Sequence, residues 1–177
     1  MKKLVINNDD FKGLVNKICR DIALSNWKPD YVVGLTRGGL LPAVMISHYL
    51  NVPMQSLDVS LRDGGECVSN LGMAEDAFGY INHDPMSSGN GRKNILIVDD
   101  INDQGSTLNW IMEDWPSGCF PNDERWEEIW NNNVRFAVIV DNLSSKCEAP
   151  MNYWGMEVNK AEEDVWIEFP YEEWWTK

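Results

Sequence analysis

One stretch, Asn94-Ile95-Leu96-Ile97-Val98, constrains the fold of this 177-residue chain more than any other. Its apolar residues do not alternate with polar ones, so it reads as a strand buried on both faces. Asp99 and Asp100 follow at once, and Asp103 lies in a tight loop closed by Gly105, Ser106 and Thr107. Helical spacing resumes from Thr107 to Trp115. A strand of this kind followed by a helix belongs in a parallel sheet covered by helices.

The rest of the chain repeats the pattern. Leu4 to Ile6 is a short first strand, and Asp9 or Asp10 offers an N-cap. Phe11, Leu14, Val15, Ile18, Cys19 and Ile22 recur at helical spacing, which predicts an amphipathic helix over 10–26 before Pro29. Tyr31 to Leu35 reads as a buried strand and Thr36 to Gly39 as a glycine turn. Leu40 to Leu50 reads as a buried helix with Pro42 in its first turn. Met54 to Val59 and Val134 to Val140 are further strands, and the irregular tail holds a short one at Val165 to Ile167. Strands alternating with helices predict one α/β domain over 1–177, built on a mainly parallel central sheet flanked by helices. Ligands in such folds bind at the carboxyl ends of the strands. Thr36 to Gly39, Asp99 to Thr107, and Asp141-Asn142 all fall there.

Two segments interrupt the alternation. Residues 60 to 93 have weak periodicity, and a long structureless stretch in a compact domain predicts a mobile lid or binding loop. Its tip, Pro85 to Gly91, is expected to be exposed and mobile. Residues 115 to 133 read as an insertion with Trp126, Ile129 and Trp130 on one face. That face is local core or an oligomer contact, with a second ligand site as the alternative.

Charge and cysteines narrow the setting. A net charge of −13 disfavours nucleic acid and anionic membrane as partners. No apolar run approaches the roughly 20 residues of a spanning helix. The start, MKKLVINNDDF, turns acidic at once and makes a poor signal peptide. Cys19, Cys67, Cys119 and Cys147 lack CxxC spacing and form no zinc pattern with His48 or His83. Free thiols in a reducing cytoplasm are expected.

The loops carry the chemistry. A glycine-bearing turn that opens a helix presents unpaired N–H groups and a positive dipole end. Residues 103 to 107 therefore form an anion site of monophosphate size, or simply a capped helix start with Ser106 as N-cap. No GxxxxGK[ST] lysine loop is present. Carboxylates ending a buried strand are costly unless paired. Beside a phosphate site, sugar hydroxyls or Mg²⁺ are natural partners for Asp99 and Asp100; the plainer alternative is that Asp100 caps the turn.

Three motifs together resemble the type I phosphoribosyltransferases, in particular the bacterial xanthine-guanine enzymes. Ile95 to Leu108 resembles the motif that binds phosphoribosyl pyrophosphate (PRPP). Gly34 to Ala43 resembles the early pyrophosphate loop. Asp164 to Glu172, containing Trp166-Ile167 and Pro170, resembles the C-terminal base-stacking segment. The resemblance implies a type I phosphoribosyltransferase-like fold with a small C-terminal hood over about 141–177. It implies Mg²⁺-dependent transfer of phosphoribose from PRPP to a 6-oxopurine, a salvage reaction, by a homodimer or homotetramer. Asp99 and Asp100 would hold the ribose hydroxyls, directly or through Mg²⁺. Asp103, Gln104, Gly105, Ser106 and Thr107 would cradle the 5′-phosphate, with Asp103 as general base or acid near purine N7. Thr36, Arg37 and Gly38 would bind pyrophosphate. Trp166, unless it is a plain core aromatic, would stack on the base, and Ile167 would offer its backbone. Arg62 would reach pyrophosphate from the mobile loop, or remain a solvated loop arginine.

The chain departs from the family pattern at three places, the third being the inserted 115–133 segment. Gln104 stands where a threonine is usual. Asn142 stands near the place of a lysine that contacts purine O6, and the nearest lysine is Lys146. Asn142 and Lys146 are therefore the remaining base-side candidates. A PRPP- or nucleotide-binding regulatory protein on the same fold, without transferase activity, is the alternative reading.

Overall fold

The computed structural model describes residues 1–59, 61, 67, 69–79 and 91–176. Five parallel strands form the central sheet in the order β3-β2-β4-β5-β6. They are β2 (Tyr31–Leu35), β3 (Met54–Leu57), β4 (Ile95–Asn102), β5 (Val134–Asn142) and β6 (Tyr153–Val158). β4 is the middle strand, which is why its apolar run has no polar face: Ile95 to Val98 are all buried.

Period-two alternation divides these strands between two cores. Val33, Ile95, Ile97, Phe136 and Val138 face α3 (Leu71–Phe78) and α4 (Ser106–Gly118). Val32, Leu96, Val98, Ala137 and Ile139 face α1 (Asn8–Leu24) and α2 (Leu40–Leu50). The sheet is thus covered on both sides by helices, as the strand pattern predicts. A second, two-stranded parallel sheet joins β1 (Lys2–Val5) to β7 (Val165–Glu168), with Lys3 opposite Trp166. It brings the two ends of the chain together as a hood beside the carboxyl ends of β2 and β4.

Several boundaries differ from the sequence reading. β4 does not stop at Val98 but runs to Asn102, so Asp99 lies inside the ladder opposite Val138 on β5. The stretch from 60 to 93 is not structureless, because Asn70 caps α3 and accepts from Met73 N–H at 3.0 Å. The weak periodicity there hid a helix of only eight residues. Arg62 and most of the 85–91 tip lie outside the described residues. Asn7, rather than Asp9 or Asp10, caps α1 in a reciprocal capping box with Asp10. β6 was hidden within a tail read as irregular; its Gly155 leaves room for Leu14 of α1 against the strand.

The tryptophans of the 115–133 segment form local core. Trp126 stacks on Trp130 with centroids 5.7 Å apart, and Trp130 stacks on Phe136 of β5 at 6.2 Å. Trp126 Nε1 donates to the Cys119 carbonyl at 2.9 Å. This cluster closes the amino-terminal end of β5, away from the carboxyl ends that form the cleft. Trp126→Ala should therefore destabilise the fold by about 3–5 kcal/mol through cavity formation, read as a lowered urea midpoint.

Candidate active site

A cleft of about 1190 Å³ opens at the carboxyl ends of β2 and β4, beneath the hood. Four of the chain segments around it carry the residues singled out in the sequence. The first is the β2–α2 turn, where Thr36, Arg37 and Gly38 all line the cleft. Thr36 Oγ1 donates to Asp58 Oδ1 at 2.7 Å, which pins the turn to the segment after β3. The Arg37 side chain is exposed and makes no ion pair with another described residue. Gly38 packs so closely on the Asp100 carboxylate that a Cβ would overlap it.

The second segment is the end of β4. Asp100 N–H donates to Asp99 Oδ1 at 2.9 Å, and Ile101 N–H donates to Asp100 Oδ1 at 2.8 Å. The other Asp100 oxygen, Oδ2, accepts from the Tyr171 hydroxyl at 3.1 Å, and that hydroxyl also lies 3.3 Å from the Gly38 carbonyl. Tyr171 is stacked on Phe169 with ring centroids 5.5 Å apart. One phenol from the hood therefore touches both the acidic pair and the glycine turn.

The third segment is the 103–107 loop. Gly105 has φ of +83°, a conformation that favours glycine, and its α face lies against the Cys147 backbone. The first α4 hydrogen bond runs from Asn109 N–H to the Gly105 carbonyl at 3.0 Å. The N–H groups of the first turn are thus left for an anion. Gly105 caps α4, and no side chain makes a capping bond, so Ser106 is not the N-cap. Gln104 and Ser106 are exposed and, with Thr107, line the cleft.

The hood is the fourth. Trp166 is 46% exposed and lines the cleft, so it is not a core aromatic. The Ile167 side chain is buried. Lys2 and Ile6 N–H groups donate to the carbonyls of Asp164 and Glu168. By strand alternation the Ile167 backbone groups point away from β1.

Two expected base-side residues are placed differently. Asn142 is 5% exposed and does not line the cleft. Its Nδ2 donates to the Asp103 carbonyl at 2.8 Å, and its Oδ1 accepts from Ser144 and from Lys160 N–H at 3.0 Å. Every polar atom of its side chain is engaged in holding backbone. The Lys146 side chain is exposed and also absent from the cleft wall. Its backbone supports the 103–107 loop from behind: Lys146 N–H donates to the Gln104 carbonyl, and the Lys146 carbonyl accepts from Asn109.

Lys160, which sequence reasoning passed over, forms an ion pair with Asp103 at 2.8 Å. It lies 57 residues away in sequence, in the β6–β7 connection among acids, where local pattern marks nothing. One signal was present: Lys160 is the only basic residue between Lys146 and Lys177. Lys160 does not itself line the cleft, whereas Tyr171, Asp58 and Trp175 line it without any role assigned to them from the sequence.

Burial, and then the Asp100 charge, push the Tyr171 phenol well above the ordinary tyrosine range. The neutral hydroxyl is the form the fold favours. The stability this contributes is complete below the unfolded value near pH 10 and is lost as pH rises toward the folded value. Unfolding free energy should fall between about pH 10 and pH 11 more steeply in the parent chain than in Tyr171→Phe, measured by denaturant titration at each pH.

A phosphoribosyl transferase domain model matches residues 5–173. The chain is 26% identical over 127 residues to xanthine phosphoribosyltransferase 1 of Saccharomyces cerevisiae, a match spanning 64% of this chain and 60% of that protein. It is 25% identical over 142 residues to the xanthine-guanine phosphoribosyltransferase of Roseobacter denitrificans, covering 80% of this chain and 67% of the relative. The chain thus spans less than two thirds of the yeast relative's length. In fold it is similar to the purine phosphoribosyltransferase of Pyrococcus horikoshii, with a TM-score of 0.64, 23% identity, and coverage of 98% and 96% of the two chains. With an acidic strand end, a helix-capping glycine loop and an arginine-glycine turn around one cleft, and with the domain match spanning nearly the whole sequence, the chain belongs to the phosphoribosyltransferase family.

Proposed function

We propose that this cleft binds PRPP and transfers its phosphoribosyl group to a 6-oxopurine (guanine, xanthine or hypoxanthine), releasing pyrophosphate and forming a purine nucleotide for salvage. The observation that carries the reading is the meeting of four unlike sites in one space: an acid pair, an open helix N-terminus, an arginine-glycine turn and an exposed tryptophan. Each suits a different part of such a substrate pair. The N–H groups at the start of α4 take the 5′-phosphate. Asp99 and Asp100 take the ribose hydroxyls, which can donate to carboxylate oxygens that still have lone pairs. Arg37 presents a forked donor to the leaving pyrophosphate. Trp166 offers a flat face to the base. The specificities named for the yeast and Roseobacter relatives support a purine acceptor.

In this reading the bond from C1′ to pyrophosphate breaks as the purine nitrogen bonds to C1′. Positive charge grows on the sugar, and the carboxylates of Asp99 and Asp100 favour it. Asp103 faces the base and holds or returns its proton. Tyr171 keeps Asp100 turned toward the glycine turn while the charge develops.

The donor set fits Mg²⁺. Among the described residues no group of three or more His, Cys, Asp or Glu forms a metal cage. Mg²⁺ is commonly held by one or two carboxylates together with substrate phosphates and water, and Asp99 and Asp100 suit that role. When bound, the ion would neutralise charge on the leaving pyrophosphate. The cytoplasm and a homodimer or homotetramer are the setting we attach to this reading. The free cysteines agree with the first, and exposed Leu41, Val44 and Tyr49 offer a surface for the second.

Pyrophosphate release with PRPP, Mg²⁺ and a panel of guanine, xanthine, hypoxanthine, adenine and pyrimidines tests the proposal. Turnover with a 6-oxopurine, abolished by chelation, is expected. Tight PRPP binding with no turnover on any base would favour a regulatory nucleotide-binding protein instead. Asp103→Asn should lower kcat by roughly 10²–10⁴-fold and leave PRPP affinity nearly unchanged. Equal losses in both would refute the proton-transfer role.

A further inference from the structure

The hood is a sheet of its own. Among the described residues β1 and β7 pair with each other and share no ladder with the five central strands. Its place over the cleft therefore depends on side chains. Tyr171, in the turn after β7, lines the cleft and reaches across to the central sheet. Its hydroxyl lies 3.1 Å from Asp100 Oδ2 and 3.3 Å from the Gly38 carbonyl. The ring is fixed from behind, edge-on to Phe11 of α1 at 5.8 Å and stacked on Phe169 at 5.5 Å. Phe169 N–H donates to Glu172 Oε2 at 2.9 Å, and Glu172 N–H donates back to the Phe169 carbonyl at 3.1 Å. The turn that carries the phenol is thus closed on itself, and it follows directly on the strand that carries Trp166 and Ile167.

A phenol has one proton to donate, and here two acceptors lie within reach of it. The charged carboxylate is the stronger of the two, so without a ligand the proton goes to Asp100. A ribose hydroxyl or a cation on Asp100 takes up part of that charge, and the Gly38 carbonyl then gains the proton. Because the two acceptors are almost equally distant, this exchange needs rotation of the O–H and no movement of the ring. The hydroxyl keeps a partner in both states. A ligand that orders Asp100 and the 36–39 turn therefore gives the hood a firmer anchor, and a base that meets an ordered hood has less ordering left to impose.

We propose that Tyr171 couples the two halves of the cleft: through its hydroxyl, a ligand held by Asp100 and the 36–39 turn orders the hood, and the hood then binds a base more tightly. Tyr171 is a positioning residue, because its hydroxyl acts through Asp100 and Gly38. The inference rests on the PRPP and purine reading of the cleft and adds how one ligand changes the affinity for the other. The effect is reciprocal, so the base tightens PRPP by the same factor. A hydrogen bond that only stabilised the fold would leave that factor unchanged when removed.

The test uses 9-deazaguanine, which lacks the nitrogen that bonds to C1′ and so is not turned over. Its binding is followed by tryptophan fluorescence with and without PRPP and Mg²⁺, in the full chain and in Tyr171→Phe, which keeps the ring contacts. PRPP should tighten the base by at least about fivefold in the parent and by less than about twofold in Tyr171→Phe. Coupling that survives the substitution, or ligands that bind the parent independently, would overturn the proposal. A second arm needs no purine: amide hydrogen exchange of residues 165–171 is measured with Mg²⁺ and inorganic pyrophosphate alone. Protection should rise in the parent and stay flat in Tyr171→Phe. A rise in both proteins refutes the role, and so does no rise in the parent, whatever the variant does. Should the parent bind neither PRPP nor a purine, the transferase reading falls, and the exchange arm still decides Tyr171.

Discussion

Carboxylates carried by the middle strand of a parallel sheet are the constraint on which the site depends. Such groups lose water on burial and must be met by donors. Asp100 shows how this is done. A backbone N–H reaches one oxygen and the Tyr171 phenol reaches the other. The phenol is available because the hood sheet carries β7 and the turn after it to the ends of β2 and β4. The glycine turn comes as close as it does because residue 38 has no Cβ. Pairing one aspartate thereby fixes the mutual position of the 36–39 turn, the acid pair and the hood.

A second node lies one strand over. Asn142 ends β5 and bonds to backbone on three sides, while Ser145 donates to Asn102 Oδ1 at 2.8 Å and Asn102 donates to Asp141 at 2.9 Å. Residues 145 to 148 then run behind the 103–107 loop, with Cys147 against Gly105. The 103–107 loop is held from the rear by polar contacts, and the first helical hydrogen bond of α4 starts only at Asn109. Rigidity behind and unpaired donors in front are what a preorganised anion site requires.

The legible parts of this protein were those encoded within a few residues. The buried strand, the glycine loop after it and the 36–39 turn each declare themselves by local composition, whereas the tryptophan at 166 was marked by the family resemblance alone. The helix with clean periodicity also declares itself, read over 10–26 and found over 8–24, while the apolar run over 40–50 is helical but not wholly buried as its composition suggested, since Leu41, Val44 and Tyr49 are exposed. Illegible parts depended on distant partners. β6 has a mixed apolar and polar pattern and is a strand because it adds to the β5 edge. α3 is short and carries no long periodic face. Asn142 read as a base contact because its polarity at a strand end is the same whether it faces a ligand or a backbone; only its hydrogen bonds distinguish the two.

The sequence by itself determined the architecture and the chemical types at the strand ends, because hydrophobic period and turn chemistry act over a few residues. Only the tertiary structure decided which side chains share the cleft. It put Tyr171 on Asp100 in the cleft wall and kept Lys146 and Lys160 off that wall, with Lys160 paired to Asp103. These pairings span 57 and 71 positions of chain. They exist because parallel strand order and the β1–β7 hood bring remote loops to one end of the sheet, and no local pattern carries that distance.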